Sequence, residues 1–112
     1  MKIYHNPRCS KSRQTLALIN EKGADVEIIE YLNAIPTENE LKEILSQLGI
    51  PAEKLVRKGE QAYKDNFKGK ELSEDEWVKA MVHYPKLIER PIVVKGNKAI
   101  LGRPPENVLD LI

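Results

Sequence analysis

The feature that most constrains the fold is a strand–helix–strand pattern in the first third of the chain. Residues 3–4 begin a short apolar β run that stops before Pro7, because proline has no N–H for a central ladder. Residues 10–22 favour a helix with one apolar face, and Gly23 follows as a stop signal. Residues 26–32 are rich in β-branched side chains and predict a second strand. This order predicts a right-handed βαβ unit with parallel strands.

The middle of the chain is predicted to be helical. Two capping-box patterns, Thr37 with Glu40 and Ser73 with Glu76, each precede an amphipathic run. A shorter helical piece is expected after Pro51. We expect the polar stretch at residues 57–70 to be irregular.

The last quarter returns to β structure. Residues 92–94 and 99–101 are β runs joined by a turn at Gly96-Asn97, which predicts a hairpin, and a short helix is expected from Pro105. Together these elements predict one α/β domain over residues 1–112. It has a mixed four-stranded sheet flanked by helices, with a helical insertion at about 34–86 between strands 2 and 3. The order is similar to that of thioredoxin-like (glutaredoxin-like) folds.

The amino-acid composition excludes several classes of protein function. The 112 residues are 41% hydrophobic with a formal net charge of +1, so one core is expected and no basic field points to nucleic acid or anionic lipid. No apolar run approaches membrane-spanning length, and no signal-peptide pattern is present. A single cysteine excludes an internal disulfide and fits a reducing cytoplasm. We expect a cytoplasmic monomer that binds no metal, nucleic acid or membrane.

That single cysteine, Cys9, is predicted at or just before the start of the first helix. Unpaired N–H groups and the positive end of the helix dipole would favour its thiolate and provide an anion site. Arg8, Lys11 and Arg13 add positive charge nearby. The sequence therefore predicts a reactive thiolate with a lowered pKa, although a lone cysteine can also be an inert buried side chain.

Three further arginines stand beside structural boundaries. Arg57 ends the short helix after Pro51, Arg90 precedes a proline that opens the third strand, and Arg103 follows the fourth strand. Each of them alone could be a surface residue. Beside a thiolate, their planar guanidinium groups are suited to a tetrahedral oxyanion, because each can bind two oxygens at once.

Two segments resemble the glutaredoxin-coupled arsenate reductase family, which is thioredoxin-like. They are the opening Tyr4-His5-Asn6-Pro7-Arg8-Cys9 and the segment Arg90-Pro91-Ile92-Val93-Val94. The resemblance implies that Cys9 is the nucleophile and that arginines 57, 90 and 103 bind the oxyanion. It also implies a cis peptide bond at Pro91 and supporting roles for His5 and Ser12.

The resemblance also implies the electron source. Reduction of arsenate takes two electrons and hence two thiols, and this chain has one. The family assigns the second thiol to glutathione, a co-substrate, and clears the mixed disulfide with glutaredoxin. Two alternatives stay open. One is a redox-silent binding module related to the RNA-polymerase-binding branch, whose second cysteine is replaced here by Ser12. The other is a thiol reductase acting on glutathione mixed disulfides.

Overall fold

A computed structural model describes all residues, 1–112. It contains four strands and five α-helices, with two 3₁₀ helices at Pro85–Leu87 and Pro105–Asp110. In chain order the strands and α-helices are β1 (Lys2–His5), α1 (Ser10–Glu21), β2 (Glu27–Glu30), α2 (Glu38–Leu48), α3 (Ala52–Leu55), α4 (Gln61–Asn66), α5 (Glu74–His83), β3 (Ile92–Lys95) and β4 (Lys98–Leu101).

The sheet is mixed, as the sequence predicts. Its strand order is β2-β1-β3-β4, in which β1 runs parallel to β2 and antiparallel to β3. The β3–β4 hairpin is antiparallel and turns at Gly96, whose φ of 63° lies in the left-handed region that glycine tolerates. The predicted βαβ unit and hairpin are therefore both confirmed.

The chain divides into two compact units. The first comprises Met1–Ala34 and Arg90–Ile112, and the second comprises Ile35–Glu89. The second unit thus occupies the stretch between β2 and β3, where the sequence predicts an insertion. Whether the chain behaves as one domain stays a prediction.

The first unit contains the sheet, α1 and the C-terminal 3₁₀ helix. Its core is built from apolar side chains of β1, α1, β3, the C-terminal 3₁₀ helix and the residue after that helix, all at most 8% exposed: Ile3, Ile19, Val93, Val108 and Leu111. This packing fixes α1 against the strands. It therefore fixes the position of the residue that precedes α1, Cys9.

The second unit is helical. Both capping boxes form, with Thr37 and Ser73 accepting hydrogen bonds from the N–H groups of Glu40 and Glu76. Trp77 lies in α5, is 3% exposed, and has Tyr63 and Phe67 as aromatic neighbours.

Three details differ from the sequence prediction. Residues 57–70 are not irregular throughout, because α4 lies within them and its aromatic contacts with Trp77 hold an otherwise polar segment. Strand β2 covers four residues rather than seven, and it is an edge strand with Ile28 half exposed. The C-terminal helix is of the 3₁₀ type.

Candidate active site

Cys9 occupies the N-cap position of α1. Its own N–H donates to the carbonyl of Asn6 at 3.0 Å, and its carbonyl accepts from the N–H of Arg13 at 3.0 Å. The first turn of α1 contains no acidic residue, so nothing there opposes a negative sulfur. These two hydrogen bonds fix the backbone of Cys9 between the preceding turn and the first turn of α1, so the sulfur lies at the start of the helix.

The pKa of Cys9 is lowered, as predicted. Partial burial acts to raise the pKa, but it is outweighed by the backbone N–H of Ser12, by the hydrogen bond and charge of Arg90, and by the backbone N–H of Lys11. The N–H groups at the helix N-terminus therefore lower the Cys9 pKa as expected, whereas the positive charge that lowers it further is that of Arg90. The side-chain charges of Arg8, Lys11 and Arg13, which the sequence suggested, are not among these causes. Arg13 instead donates to the carbonyl of Pro7 at 2.9 Å.

Two arginines converge on the sulfur from the other end of the chain. The Arg90 side chain hydrogen-bonds Cys9, and Nη1 of Arg103 lies 3.9 Å from Sγ. That Nη1 also donates to the carbonyl of Arg90 at 3.1 Å, which ties the two arginines together. The distance of 3.9 Å from Nη1 of Arg103 to Sγ of Cys9 is long for a hydrogen bond, even to sulfur. Arg90 is therefore the arginine that lowers the thiol pKa, and Arg103 lies next to the sulfur.

The supporting residues His5 and Ser12 contact each other. Nδ1 of His5 lies 2.6 Å from Oγ of Ser12, and that oxygen also accepts from the N–H of Asn6 at 3.0 Å. Burial, followed by the charge of Arg13, lowers the pKa of His5 against the opposing effect of Glu30. A neutral imidazole shares a hydrogen bond with the Ser12 hydroxyl, and the tautomer of His5 sets which of the two donates. The supporting role of His5 stays a prediction, and its contact with Ser12, which binds the N–H of Asn6, favours support through positioning of the turn before Cys9.

Pro91 and Gly102 meet where β3 begins and β4 ends. The Arg90–Pro91 bond is cis, as predicted, and the Arg103–Pro104 bond is cis as well. The N–H of Gly102 donates to the carbonyl of Pro91 at 2.9 Å. A Cβ added to Gly102 would collide with Oγ1 of Thr15 and would lie 2.7 Å from Cγ of Pro91. Only glycine therefore lets these segments approach so closely.

Arg57 belongs to the second unit. Its Nε lies 3.5 Å from Oε1 of Glu89 and 3.8 Å from Oε1 of Glu60, and its backbone N–H donates to the carbonyl of Leu87 at 2.7 Å. Its Nη1 is buried and has no hydrogen-bond partner in the structure. Its predicted role in anion binding stays a prediction.

Comparison with known proteins decides the family. The model of the ArsC family matches residues 4–111.

This chain belongs to the ArsC family.

Several known proteins resemble this chain over nearly their full length. The uncharacterized protein YfgD of Escherichia coli (strain K12) is 48% identical, a match that covers 100% of this chain and 96% of that protein. An arsenate reductase of Haemophilus influenzae is 46% identical over 98% of this chain and 97% of its own length. The solved structure of an arsenate reductase from Vibrio cholerae has a TM-score of 0.94 at 46% identity, covering 100% of this chain and 98% of that one. These matches confirm the thioredoxin-like α/β fold.

Two residues near Cys9 and Arg103 were not identified from the sequence. Asn107 donates from Nδ2 to the carbonyls of Leu101 and Arg103, both at 3.2 Å. Thr15 is fully buried, and its Oγ1 lies 2.8 Å from the carbonyl of Lys11 and 3.3 Å from that of Gly102. A polar residue on the inner face of α1 was the one available hint for Thr15.

Two further findings concern the molecule as a whole. No three or more His, Cys, Asp or Glu side chains group closely enough to hold a metal ion. None of the helices has both the length and the apolar character needed to span a bilayer.

Proposed function

We propose that this ArsC-family protein reduces arsenate, with Cys9 as the nucleophile. The observation that carries the proposal is the position of the Cys9 thiol. It lies at the N-terminus of α1, its pKa is lowered, and the guanidinium groups of Arg90 and Arg103 lie next to its sulfur. A thiolate attacks a tetrahedral oxyanion well only if positive charge offsets the repulsion between the two anions. Proteins called arsenate reductases among its full-length relatives support arsenate as the substrate.

The oxyanion would be held by three arginines. Arg90 and Arg103 already lie at the sulfur, and each guanidinium can bind two oxygens in its plane. Arg57 is included because of the family resemblance. Its Nη1 is buried and has no hydrogen-bond partner, which supports a role as a hydrogen-bond donor to the anion. His5, Ser12 and Pro91 support this site by fixing the backbone around it.

The first chemical step forms a sulfur–arsenic bond. The Cys9 thiolate attacks As(V) of hydrogen arsenate, and the bond from arsenic to its hydroxyl group breaks, so that the hydroxyl takes up one proton and leaves as water. The arginines offset the charge that builds on the remaining oxygens during this step. No change of oxidation state has occurred at this point.

The second step transfers the electrons. The thiolate of glutathione attacks the sulfur of Cys9, forming a disulfide, and the electron pair of the broken sulfur–arsenic bond stays on arsenic. Arsenic leaves as arsenite, now As(III), and Cys9 is left as a mixed disulfide with glutathione. Glutaredoxin then restores the thiolate by thiol–disulfide exchange with further glutathione. Two thiols are oxidised for each arsenate reduced.

A protein that cycles through one partly exposed thiol needs a reducing compartment, so we place it in the cytoplasm. It would work as a monomer without a bound cofactor, with arsenate, glutathione and glutaredoxin as its partners and no part for nucleic acid or membrane. Size-exclusion chromatography with light scattering tests the monomer, and a dimer would contradict it.

Coupled turnover tests the proposed function. With arsenate, glutathione, glutathione reductase and glutaredoxin present, the protein should consume NADPH in proportion to arsenate. Omission of glutathione or glutaredoxin, or replacement of Cys9 by serine, should abolish that consumption. Arsenate-independent reduction of a glutathione mixed disulfide, with no response to arsenate, would overturn the proposal in favour of a thiol reductase.

A further inference from the structure

The guanidinium of Arg103 borders the Cys9 sulfur, yet Arg103 itself is exposed on a short segment between β4 and the C-terminal 3₁₀ helix. A long side chain on such a segment adopts many orientations unless contacts restrain the backbone that carries it. The structure shows what holds it.

Asn107 holds the segment from the C-terminal side. Its Nδ2 donates to the carbonyls of Leu101 and Arg103, which flank the Gly102 peptide unit. One amide group can serve both carbonyls because it carries two N–H donors. The contacts join the end of β4 to the segment that carries Arg103.

Thr15 holds the same segment from the opposite side. Its hydroxyl donates chiefly to the carbonyl of Lys11 at 2.8 Å, and the carbonyl of Gly102 lies 3.3 Å from the same Oγ1 as a longer, shared acceptor. The side chain is fully buried and packs against Gly102. Thr15 lies in α1, the helix whose N-cap is Cys9. The carbonyls of residues 101 and 103 are thus bonded to the C-terminal 3₁₀ helix, and Gly102 between them contacts the helix of the nucleophile.

We propose that Asn107 and Thr15 are positioning residues for the oxyanion site, acting through Arg103. Together they set the separation of the Arg103 guanidinium from the Cys9 sulfur. The inference rests on the proposed function for its meaning in catalysis, although the positioning itself does not depend on arsenate.

The first variant is Asn107→Leu, which keeps the approximate shape and removes both donors. Asn66→Leu is the matched control, because Nδ2 of Asn66 also donates to a carbonyl, that of Ala62 at 3.0 Å within α4. If Asn107→Leu proves too unstable to study, Thr15→Val removes the other tie with little change of shape, and Thr15→Ser should restore it.

One readout needs no substrate. The Nε–H signal of Arg103 in ¹⁵N NMR spectra can be assigned by its loss in Arg103→Lys. We expect Asn107→Leu and Thr15→Val to shift or broaden this signal, and Asn66→Leu and Thr15→Ser to leave it unchanged. An Arg103 signal that is unchanged in both Asn107→Leu and Thr15→Val would overturn the positioning role.

The second readout is the affinity for arsenate, measured without turnover as protection of Cys9 from iodoacetamide. We expect Asn107→Leu to weaken protection about tenfold, since misplacing a binding group by around 1 Å can cost up to about a hundredfold. The pH midpoint of alkylation should not move, because Arg90 and the helix N–H groups set it. A role in general stability would lower the melting temperature without this selective loss.

A double-mutant cycle closes the test. If Asn107 acts through Arg103, then Asn107→Leu should have no further effect on protection in an Arg103→Ala background. Additive losses would show a separate action and contradict the proposal. Failure of arsenate to protect even the unmodified protein would count against the proposed function, while the NMR result would still decide the positioning role.

Discussion

At the scale of single residues, the chemistry depends on which charge reaches the Cys9 sulfur. The cations adjacent in sequence do not supply it; Arg90, eighty-one positions away, does, together with N–H groups of α1. The site therefore exists only in the folded chain. A peptide containing residues 1–22 would lack the arginine that acts on the thiol.

This assignment predicts the pH dependence of alkylation. The Cys9 thiol should react with iodoacetamide with a midpoint below the free value of about 8.5. Replacing Arg90 with glutamine should raise the midpoint, because it removes a hydrogen bond and a charge that favour the thiolate. Arg8→Gln should leave it unchanged, and an equal shift in both variants would restore the local cations as the cause.

A second prediction separates paired hydrogen bonding from charge. Arg90→Lys and Arg103→Lys keep the charge but lose the planar pair of donors. Charged hydrogen bonds are worth about 1.5–3 kcal/mol, so kcat/KM for arsenate should fall about tenfold to a hundredfold. Arg8→Lys, exposed and beside Cys9 in sequence, is the control. Wild-type kinetics in all three variants would remove the arginines from the mechanism.

His5 predicts a pH effect on stability. Its pKa is lowered in the folded protein, so between that pKa and about 6.5 the unfolded chain binds more protons. Stability should therefore be complete above about pH 6.5 and should decline as the pH falls below it. Melting temperatures of the wild type should drop more between pH 7 and 5.5 than those of His5→Gln. Parallel curves would show that His5 is not the titrating group.

At the scale of elements, the site depends on how closely β4 approaches α1 and β3. Gly102→Ala would drive a methyl group into Thr15 and Pro91, and overpacking of this kind costs about 1–3 kcal/mol. Chemical denaturation should show that loss, together with weaker arsenate binding as Arg103 moves. Gly59→Ala, where a Cβ meets nothing within 4 Å, should change stability little. Equal effects at both glycines would contradict the close contact.

The elements also show what local sequence can and cannot predict. Both capping boxes were predictable because the cap residue and its partner are three positions apart. Helix α4 was not, because its polar sequence has no helical pattern and its aromatic side chains find Trp77 only after folding. Strand β2 was overextended since its pattern of apolar residues continues past the last paired residue, Glu30.

At the scale of the whole molecule, the mixed sheet could be predicted from the order of strands and helices, because each of these elements has a recognisable local sequence pattern. The residue types of the candidate site were also predictable: a cysteine at a helix start and arginines at strand boundaries. Their geometry was not, since Cys9 and Arg103 are ninety-four positions apart and their contact arises from folding. Asn107 was missed for a different reason, because its partners are nearby backbone carbonyls, which any sequence would offer.

One measurement tests the central claim most directly. The protein is mixed with arsenate and glutathione without glutaredoxin, and its intact mass and the arsenite released are followed together. We expect a Cys9–glutathione mixed disulfide to form only when arsenate is present, with one arsenite released per protein molecule. Formation of the disulfide without arsenate, or arsenite release that survives Cys9→Ser, would contradict the account.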